Sequence, residues 1–526
     1  MAVVATPDRA PALPARRRRL YVPRRGRIVA TIAVGLAWAG LSIAIDRAWI
    51  ADLAAVVSLP LALAIVAGIA IVPGYLNAQL LTSVLLDRPK RLPAFPQAEP
   101  GVTVLVAAYN EEAAIEQTLA AILAQDYPGP LGVLVIDDGS TDATRDVVRG
   151  VASADQRVGL VAADHGGKAA ALNLGLACAS TPLIATVDAD TLLVPSALRR
   201  IVIRLLVDPD GTVAVAGAVL VRNSRRGLVA RMQEWDYQLG IAAVKRQQAL
   251  LGATLVAQGA FSVYRTDEMR RAGGWPDRIG EDIVATWALI EHGGRVAFEP
   301  TAVAFTSVPT SLRRFTVQRQ RWARGMIEGL NTHGSALLRR RGFWVHSVVA
   351  DAIFPFLDLT YTLAVPAGIV LAALGNFAIV GPMTLAVLPL NLAMAGALFA
   401  RERAVFAELG LHVRRNRRGF LAYFLLYQLI QSPISVSGYI LELRGARLRL
   451  VAGPAARVGC AAWNRTPSAS PSITRTARSI GRPARFGSSR SSRSRSSSAC
   501  SSTPTPRTAT AATAARGSWP GPPAAR

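Results

Sequence analysis

Long apolar runs, separated by a short polar break, lie near the start of this chain. Each run, Ile28 to Ile45 and Ala54 to Leu86, approaches or exceeds the roughly 20 residues that a bilayer span needs. A signal peptide is the alternative for the first run, because basic residues precede it. That run is long for a signal peptide, however, and a second run follows closely. The pattern therefore predicts two transmembrane helices within residues 28–86.

Apolar character returns in the last third of the chain, in the runs Val345 to Leu374, Phe377 to Ala400 and Phe420 to Leu441. We expect residues 331–450 to contain two or three spans. The first run is uneven, because Asp351 and Pro355 interrupt it, and its start is predicted to be an interfacial helix. Three spans would place Arg444 outside the membrane, against the positive-inside rule, so the number of spans stays open.

Between these regions, residues 101–330 alternate short β-branched runs with stretches of helical spacing. VTVLVAAY and LGVLVIDD have strand length, and a helix is predicted between them over Glu111 to Gln125. Helices at Ala169 to Ala179 and Ala197 to Leu206 follow, each leading to another apolar strand. This alternation predicts an α/β fold with a mostly parallel sheet. Ligands of such sheets lie beyond the carboxyl ends of the strands.

The positive charge is concentrated beside the apolar runs. The formal net charge is +25, with clusters in residues 1–27, from Arg401 to Arg418, and in the tail. The first two clusters are typical of cytoplasmic membrane flanks, so the central domain is predicted to be cytoplasmic. Nucleic acid is not an expected partner, because no basic stripe is interleaved with aromatic residues. Residues 87–100 are predicted to be a linker, and the Ser/Arg/Pro-rich residues 451–526 a disordered tail.

Two acidic clusters are candidates for catalytic chemistry. Asp188 and Asp190 follow a predicted strand and offer a ligand pair for Mg²⁺ or Mn²⁺, because such ions bind one or two carboxylates together with phosphate oxygens. The alternative is an Asx turn before a helix. Glu281 and Asp282 begin a predicted helix. A closed site could raise a carboxylate pKa there toward that of a general base, although ordinary acids of a first helical turn are the alternative.

Two more segments are candidates for nucleotide binding. Asp138, beside Asp137, ends a buried strand, where a carboxylate is costly to desolvate unless a group such as a ribose hydroxyl donates to it. Turn chemistry is the alternative. Ala108, Tyr109 and Glu111 end another strand, and they could equally be a strand end, a cap and a first helical turn.

Basic and aromatic residues complete the candidate site. Lys168 follows two glycines at a predicted helix start, where it could meet a phosphate. Gln318, Arg321 and Trp322 share one helical face, on which arginine can bind a diphosphate and tryptophan can stack on a sugar. Four nearby arginines could instead be cations at the membrane surface: Arg313, Arg314, Arg319 and Arg324.

The motifs VAAYNEE, DDGST, GGKAAALNLGL, DAD, QGAFSVYR, GGW, ED and QRQRW occur in this order. Together they resemble the family 2 glycosyltransferases, specifically the membrane-integrated processive β-polysaccharide synthases. Cellulose, chitin, hyaluronan and poly-N-acetylglucosamine synthases belong to that group. The resemblance covers about Gly101 to Gly325 and the flanking spans, and it implies a GT-A nucleotide-sugar domain. Two departures stand out: Gly280 replaces the usual threonine before Glu-Asp, and Val284 stands where another acid is common.

The resemblance also implies roles for the candidate residues. Tyr109 and Asp138 would hold the uracil end of a UDP-sugar, with Lys168 near the base or the diphosphate. Asp188 and Asp190 would hold nucleotide and metal. Asp282 would be the general base. The remaining substrate contacts would come from Phe261 in the acceptor site and from Gln318, Arg321 and Trp322 at the diphosphate and the terminal sugar.

The activity that the resemblance implies is inverting transfer from UDP-GlcNAc or UDP-Glc to a growing β-linked polysaccharide. The product would leave through the membrane spans, and accessory export or modification proteins would be further partners. One alternative is a non-processive enzyme with a lipid-linked acceptor. Another is a catalytically inactive scaffold or transporter subunit, which the presence of every key acid disfavours.

Overall fold

The computed structural model describes residues 22–87, 92–93, 99–209, 211–379, 382–411 and 415–445. The predicted tail, residues 451–526, lies outside the described residues. So do residues 1–21 of the predicted basic N-terminus and most of the predicted linker, residues 87–100.

An eight-stranded sheet forms the centre of the described part of the chain. Its strands are β1 (Val102–Ala108), β2 (Leu131–Asp138), β3 (Val158–Ala163), β4 (Leu183–Val187), β5 (Leu192–Leu193), β6 (Thr212–Val221), β7 (Phe261–Arg265) and β8 (Arg295–Thr306). The spatial order is β3-β2-β1-β4-β7-β6-β8-β5. Strand β1 pairs in parallel with β2 and β4, β2 with β3, and β6 with β8. Antiparallel pairs join β7 to β4 and β6, and β5 to β8, so the prediction of a mostly parallel sheet is confirmed.

Helices cover the sheet and extend from it. They are α1 (Arg24–Ile45), α2 (Arg47–Val56), α3 (Leu59–Val66), α4 (Val72–Leu86), α5 (Ile115–Leu123), α6 (Thr144–Ala154), α7 (Lys168–Cys178), α8 (Ala197–Val207), α9 (Leu228–Asp236), α10 (Ala243–Leu251), α11 (Thr266–Arg271), α12 (Glu281–Glu291), α13 (Leu312–Gly329), α14 (Ser335–Arg339), α15 (Val345–Ala373), α16 (Pro382–Glu408), α17 (Arg417–Ala422) and α18 (Gln428–Leu443). A 3-10 turn spans Ser224–Arg226. The π-helical turns Ala67–Ile71, Tyr237–Ala242, Leu330–Gly334 and Tyr423–Tyr427 join the helices that flank each of them.

Both faces of the sheet are buried, because side chains alternate across each strand. Val104 and Val106 of β1 pack with α5, α6 and α8 on one face. Leu105 of the same strand faces the other side, where Trp275 and Trp287 join α7 and α12 in a second cluster. The carboxyl ends of the parallel strands therefore remain the open edge of the sheet.

The helix after β1 begins later than its hydrophobic spacing predicts. Asn110 has a positive φ of 55°, a backbone conformation that ends the strand and is incompatible with a helical turn. The Asn110 N–H donates to Ser140 Oγ at 3.0 Å, and its side-chain oxygen accepts from the Thr141 N–H at 2.8 Å. The predicted start at Glu111 is therefore wrong, and α5 begins at Ile115.

Among the described residues, four helical stretches are long and apolar enough to cross a membrane: Arg24–Ile45, Leu59–Leu86, Val345–Ala373 and Arg417–Leu443. Two stand before the sheet domain and two after it. The interruptions in the predicted interfacial segment do not break α15, which runs unbroken through Pro355 and Pro366. A short helix, α2, occupies the break between the first two stretches.

Candidate active site

The open edge of the sheet brings together the residues that follow three parallel strands. Tyr109 follows β1, Asp138 ends β2, and Asp188 follows β4. Because β1 pairs in parallel with both β2 and β4, these positions share one edge. Sequence reasoning placed all three at strand ends, and the structure has them there.

The two adjacent acids of β2 are buried and have donors within the protein. The Asp138 carboxylate accepts the N–H groups of Gly166 at 2.7 Å and Gly167 at 3.0 Å. Asp137 pairs with the Arg145 guanidinium and accepts a longer contact from the Ser140 N–H. The hypothesis that a nucleotide must supply these donors is therefore unnecessary, because the protein satisfies the acids by itself. A nucleotide contact at Asp138 stays a prediction.

A stacked aromatic pair lies beside Asp138. The rings of Tyr109 and His165 are 4.3 Å apart and inclined by 26°. The His165 Nδ1 lies 3.0 Å from the Asp138 backbone oxygen and 3.0 Å from its Oδ2. Sequence reasoning missed His165. Its position directly before the Gly166-Gly167-Lys168 segment was the available signal.

Lys168 links two of the acidic clusters. Its Nζ lies 2.5 Å from Asp188 Oδ1 and 3.8 Å from Glu281 Oε1. Burial opposes its charge, but Asp188 and Glu281 outweigh burial and raise the pKa of the Lys168 ammonium. The structure thus brings together groups that are 113 positions apart, at the start of α7 and the start of α12.

Two acids near Asp188, Asp190 and Glu111, have raised pKa values because they are buried and lie within range of other carboxylates. Burial, and then Asp188, raise the pKa of Asp190, whose Oδ1 accepts from the Thr306 hydroxyl at 3.1 Å. Burial followed by Asp190 and Asp188 raises the pKa of Glu111 to about 7. A divalent cation fits this donor set, because carboxylate oxygens are its preferred ligands. The protein would supply two carboxylates to the ion, those of Asp188 and Asp190, because no group of three or more metal-binding side chains occurs in the described residues.

Glu281 and Asp282 are the first two residues of α12. Burial, and then the adjacent Asp282 carboxylate, raise the pKa of Glu281 to about 7, while Lys168 and Arg321 act in the opposite direction. Asp282 is less buried than Glu281, and its Oδ1 accepts the Ile283 N–H at 2.8 Å. Asp282 is therefore the more accessible of the two carboxylates and the candidate to accept a proton from a bound hydroxyl.

Helix α13 contains the QRQRW segment, and the tryptophan of this segment lies near the open edge of the sheet. Trp322 is 39% exposed and lies 6.2 Å from the Tyr237 ring. The pKa of Tyr237 is raised mainly by burial, with Asp236, Asp190 and Asp188 adding to it, so the acids of β4 lie within electrostatic range of this pair. Arg321 is exposed and stabilises the charged form of Glu281.

Two of the arginines that could have been membrane-surface cations are buried instead. The Arg319 guanidinium pairs with Asp236 at 2.7 Å and lies 4.1 Å from the Trp322 ring centroid. Arg324 pairs with Glu442 of α18 at 2.9 Å. The surface interpretation is therefore wrong for these two. Arg313 and Arg314 are exposed.

Gln318 is only partly accessible from a cleft of about 550 Å³ along the first turns of α13. Ser311, Arg313, Arg314, Val317 and Arg321 form the rest of its lining. The Gln318 Oε1 is buried and has no hydrogen-bond partner among the described residues.

Two predicted substrate contacts lie away from the site surface. Phe261 is fully buried in β7, and its ring packs directly on Gly217 of β6. Ala108 is 1% exposed at the end of β1. The structure therefore does not bring the Phe261 side chain to the acceptor side, and only the backbone of Ala108 is available to a ligand.

Comparison with known proteins finds similarity over the central domain. Residues 100–325 match the family model described as Glycosyltransferase like family 2. The poly-beta-1,6-N-acetyl-D-glucosamine synthase of Staphylococcus aureus is 31% identical over 258 residues, which cover 49% of this chain and 62% of that protein. The Staphylococcus epidermidis synthase of the same name is 30% identical over 235 residues, covering 44% and 56%. The chain thus spans less than two thirds of these relatives.

Among solved structures, a mannosyltransferase from Pyrobaculum calidifontis, in complex with GDP-Man and Mn²⁺, is 22% identical with a TM-score of 0.49. The match covers 78% of this chain and all of that one. Residues 100–325 are therefore similar to the family 2 glycosyltransferases, and their mostly parallel sheet carries the candidate site at its carboxyl edge. About half of the chain is thus similar to the poly-N-acetylglucosamine synthases of two Staphylococcus species.

Proposed function

We propose that this protein transfers a sugar, with inversion, from a UDP-sugar to a growing β-linked polysaccharide at the cytoplasmic face of a membrane. UDP-GlcNAc is the first choice of donor, because the curated relatives are named as N-acetylglucosamine polymer synthases. UDP-Glc is the second choice.

One observation carries the proposal: the cation of Lys168 bridges the acids after β4 and the acids at the start of α12. Arg321 of the QRQRW segment lies in electrostatic range of Glu281, and Trp322 contacts Tyr237, whose pKa Asp190 and Asp188 help to raise. A nucleotide diphosphate needs cations at its phosphates, and a sugar acceptor needs a base and a stacking surface. This arrangement offers all of them around one edge of the sheet.

The residues divide the chemistry among them. Asp282 removes the proton from the acceptor hydroxyl as that oxygen attacks the anomeric carbon. The bond from the anomeric carbon to the diphosphate oxygen breaks on the opposite face, and UDP leaves with the electron pair. Lys168 and Arg321 stabilise the negative charge that develops on the diphosphate. A single displacement of this kind converts an α-linked donor into a β-linked product.

Asp188 and Asp190 would hold a Mg²⁺ or Mn²⁺ ion, which would neutralise charge on the diphosphate when bound. Their fit to the ion rests on the raised pKa of Asp190 and on the mutual repulsion of the two carboxylates. Lys168 already neutralises part of the Asp188 charge, so Asp190 is the carboxylate with more to gain from a cation.

In the proposed membrane arrangement, the two apolar helical stretches before the domain and the two after it each cross the membrane once. Two crossings on each side return the chain to the side on which it started. Arg25 and Arg444, which flank the outer ends, are then both cytoplasmic together with the domain, as the positive-inside rule requires. With two C-terminal spans, the conflict with the positive-inside rule that three spans would create does not arise.

A lipid-linked acceptor is the second candidate, because family 2 chemistry does not by itself demand a polymer. Native membranes incubated with UDP-GlcNAc carrying a labelled sugar separate the two functions. Polysaccharide synthesis predicts a labelled product of high mass that a poly-N-acetylglucosamine hydrolase degrades. Label found only in lipid extracts, as single-sugar products, would refute the polymer proposal.

A further inference from the structure

The candidate base helix begins without a side-chain cap of its own. Gly280 is the N-cap residue of α12, and it has no side chain with which to cap the helix. In a capping box the residue three positions further on accepts this N–H, but that residue here is Ile283, which has no acceptor. The Gly280 N–H instead donates to Glu328 Oε2 of α13, at 2.9 Å in a buried bond. Helix α13 therefore supplies the missing acceptor.

The same place is a close backbone contact between the two helices. A Cβ built on Gly280 would lie 2.4 Å from the Gly325 Cα, and one built on Gly325 would lie 2.6 Å from the Gly280 Cα. Real Cβ atoms do not approach backbone atoms this closely, so both positions require glycine as the helices now stand. One turn further on, a Cβ on Gly329 would lie 2.9 Å from Ile283 Cγ2.

This contact joins two halves of the site. Asp282 stands two positions after Gly280, and Trp322 stands one helical turn before Gly325. A shift of α12 along α13 would therefore change the distance between the proton acceptor and the tryptophan face. Glycine at position 280, a departure in the sequence, carries no Cβ, and this is what allows α13 to approach.

We propose that Glu328 is a positioning residue for Asp282: by accepting the Gly280 N–H across the Gly280–Gly325 contact, it holds the start of α12 in register with the QRQRW segment. The inference rests on the proposed function, since it assumes that Asp282 is the base. Glu328 itself touches no substrate. Its buried carboxylate acts through the backbone of α12.

The test compares two substitutions by UDP release in native membranes. Glu328→Ala removes the acceptor and leaves a buried N–H unpaired, so turnover is expected to fall about tenfold with the KM for the donor changed less than about twofold. Glu328→Gln keeps an acceptor oxygen of the same reach and should retain turnover within about twofold. Equal losses in both variants would show that the charge matters rather than the hydrogen bond, and would overturn the proposal.

A matched control exists at the other end of the same helix pair. Glu291 of α12 bonds His333 of the π-helical turn after α13 at 2.5 Å, far along the helix from Asp282. Glu291→Ala should leave turnover within about twofold of the wild type, because it removes a cross-helix contact without freeing the start of α12. A tenfold loss in Glu291→Ala would mean that any loosening of the two helices suffices, and would refute a specific role for Glu328.

The glycine contact has its own paired variants. Gly325→Ala introduces the 2.6 Å clash and should reduce turnover more than Glu328→Ala. Gly334→Ala is its control, because a Cβ there would lie 3.7 Å from its nearest neighbour, and it should leave turnover unchanged. Should Gly325→Ala fail to fold, the Glu328 pair decides the question alone.

Hydrogen exchange gives a readout that does not depend on activity. Amides at the start of α12, residues 280–284, should exchange at least about tenfold faster in Glu328→Ala than in the wild type. Their exchange rates in Glu291→Ala should equal those of the wild type. Unchanged exchange in Glu328→Ala refutes the positioning role. A wild-type protein that releases no UDP from any donor refutes the proposed function instead, while the exchange comparison still decides the role of Glu328.

Discussion

Asp138 shows how a buried carboxylate in this protein obtains hydrogen-bond donors. A carboxylate that is 4% exposed needs donors, and the backbone of Gly166 and Gly167 supplies two. The need for such donors can be predicted from the sequence, because an acid at the end of an apolar strand is easily recognised there. It does not show the donor, because residues 138 and 166 meet only once β2 and β3 pair.

At the residue scale, the Asp188–Asp190 pair predicts dependence on a divalent cation. Chelation should abolish UDP release, and added Mg²⁺ or Mn²⁺ should restore it. Asp190→Asn should raise the metal concentration that gives half-maximal rate by at least the roughly tenfold that even outer-shell changes produce. Titrating the metal against rate measures this.

Asp146→Asn is the control for this prediction, since Asp146 is exposed and pairs with Arg149 on α6. Its metal dependence should match that of the wild type. Full activity in the presence of chelator, or an unchanged titration in Asp190→Asn, would contradict the metal assignment.

At the scale of elements, α13 is the helix on which the site depends most. Arg319 pairs with Asp236 at the end of α9, and Gln320 donates to Ser437 of α18 at 2.9 Å. The close approach of Gly438 to Ala323 and Gln320 packs α18 against the same helix. Helix α13 is thus held between the sheet domain and the membrane-length helix α18. A shift of α13 along its axis would therefore disturb its contacts with both.

The buried Arg319–Asp236 pair makes a prediction about stability. Arg319→Met leaves Asp236 buried without its partner, a change that costs about 3–5 kcal/mol in comparable sites. The double variant Arg319→Met with Asp236→Leu should recover most of this loss, because no buried charge remains. Denaturant unfolding of the purified protein in detergent measures the free energy of unfolding.

Arg149→Met is the comparison for that variant, because the Arg149–Asp146 pair is largely exposed and should be worth no more than about 1 kcal/mol. If Arg319→Met were no more destabilising than Arg149→Met, the buried pair would not be holding α13 in place.

At the scale of the whole molecule, the hydrophobic pattern predicted the α/β alternation and the strand ends well. Strands and most domain helices occur where periodicity placed them, because burial on one or both faces imposes that periodicity. Features that depend on distant contacts were not predictable from local pattern. The late start of α5, the burial of Arg319 and the depth of Phe261 each arise from residues more than thirty positions away.

The span arrangement makes a prediction at this scale. A reporter that is active only outside the cytoplasm, fused after Gly445, should be inactive, because in the proposed arrangement two spans on each side of the domain return the chain to the cytoplasm. The same reporter fused after Asp46, between the first two apolar stretches, should be active. Activity of the fusion after Gly445 would contradict a count of two C-terminal spans.

The most direct test of the account is UDP release by the Asp282→Asn variant in native membranes supplied with UDP-GlcNAc and Mg²⁺. Loss of the base should lower turnover by about 10²–10⁴-fold. Asp267→Asn should remain at the wild-type level, since Asp267 is 87% exposed on α11. Full UDP release by Asp282→Asn would contradict the claim that the acids at the start of α12, brought to Lys168 and Asp188 by the fold, perform the proton transfer.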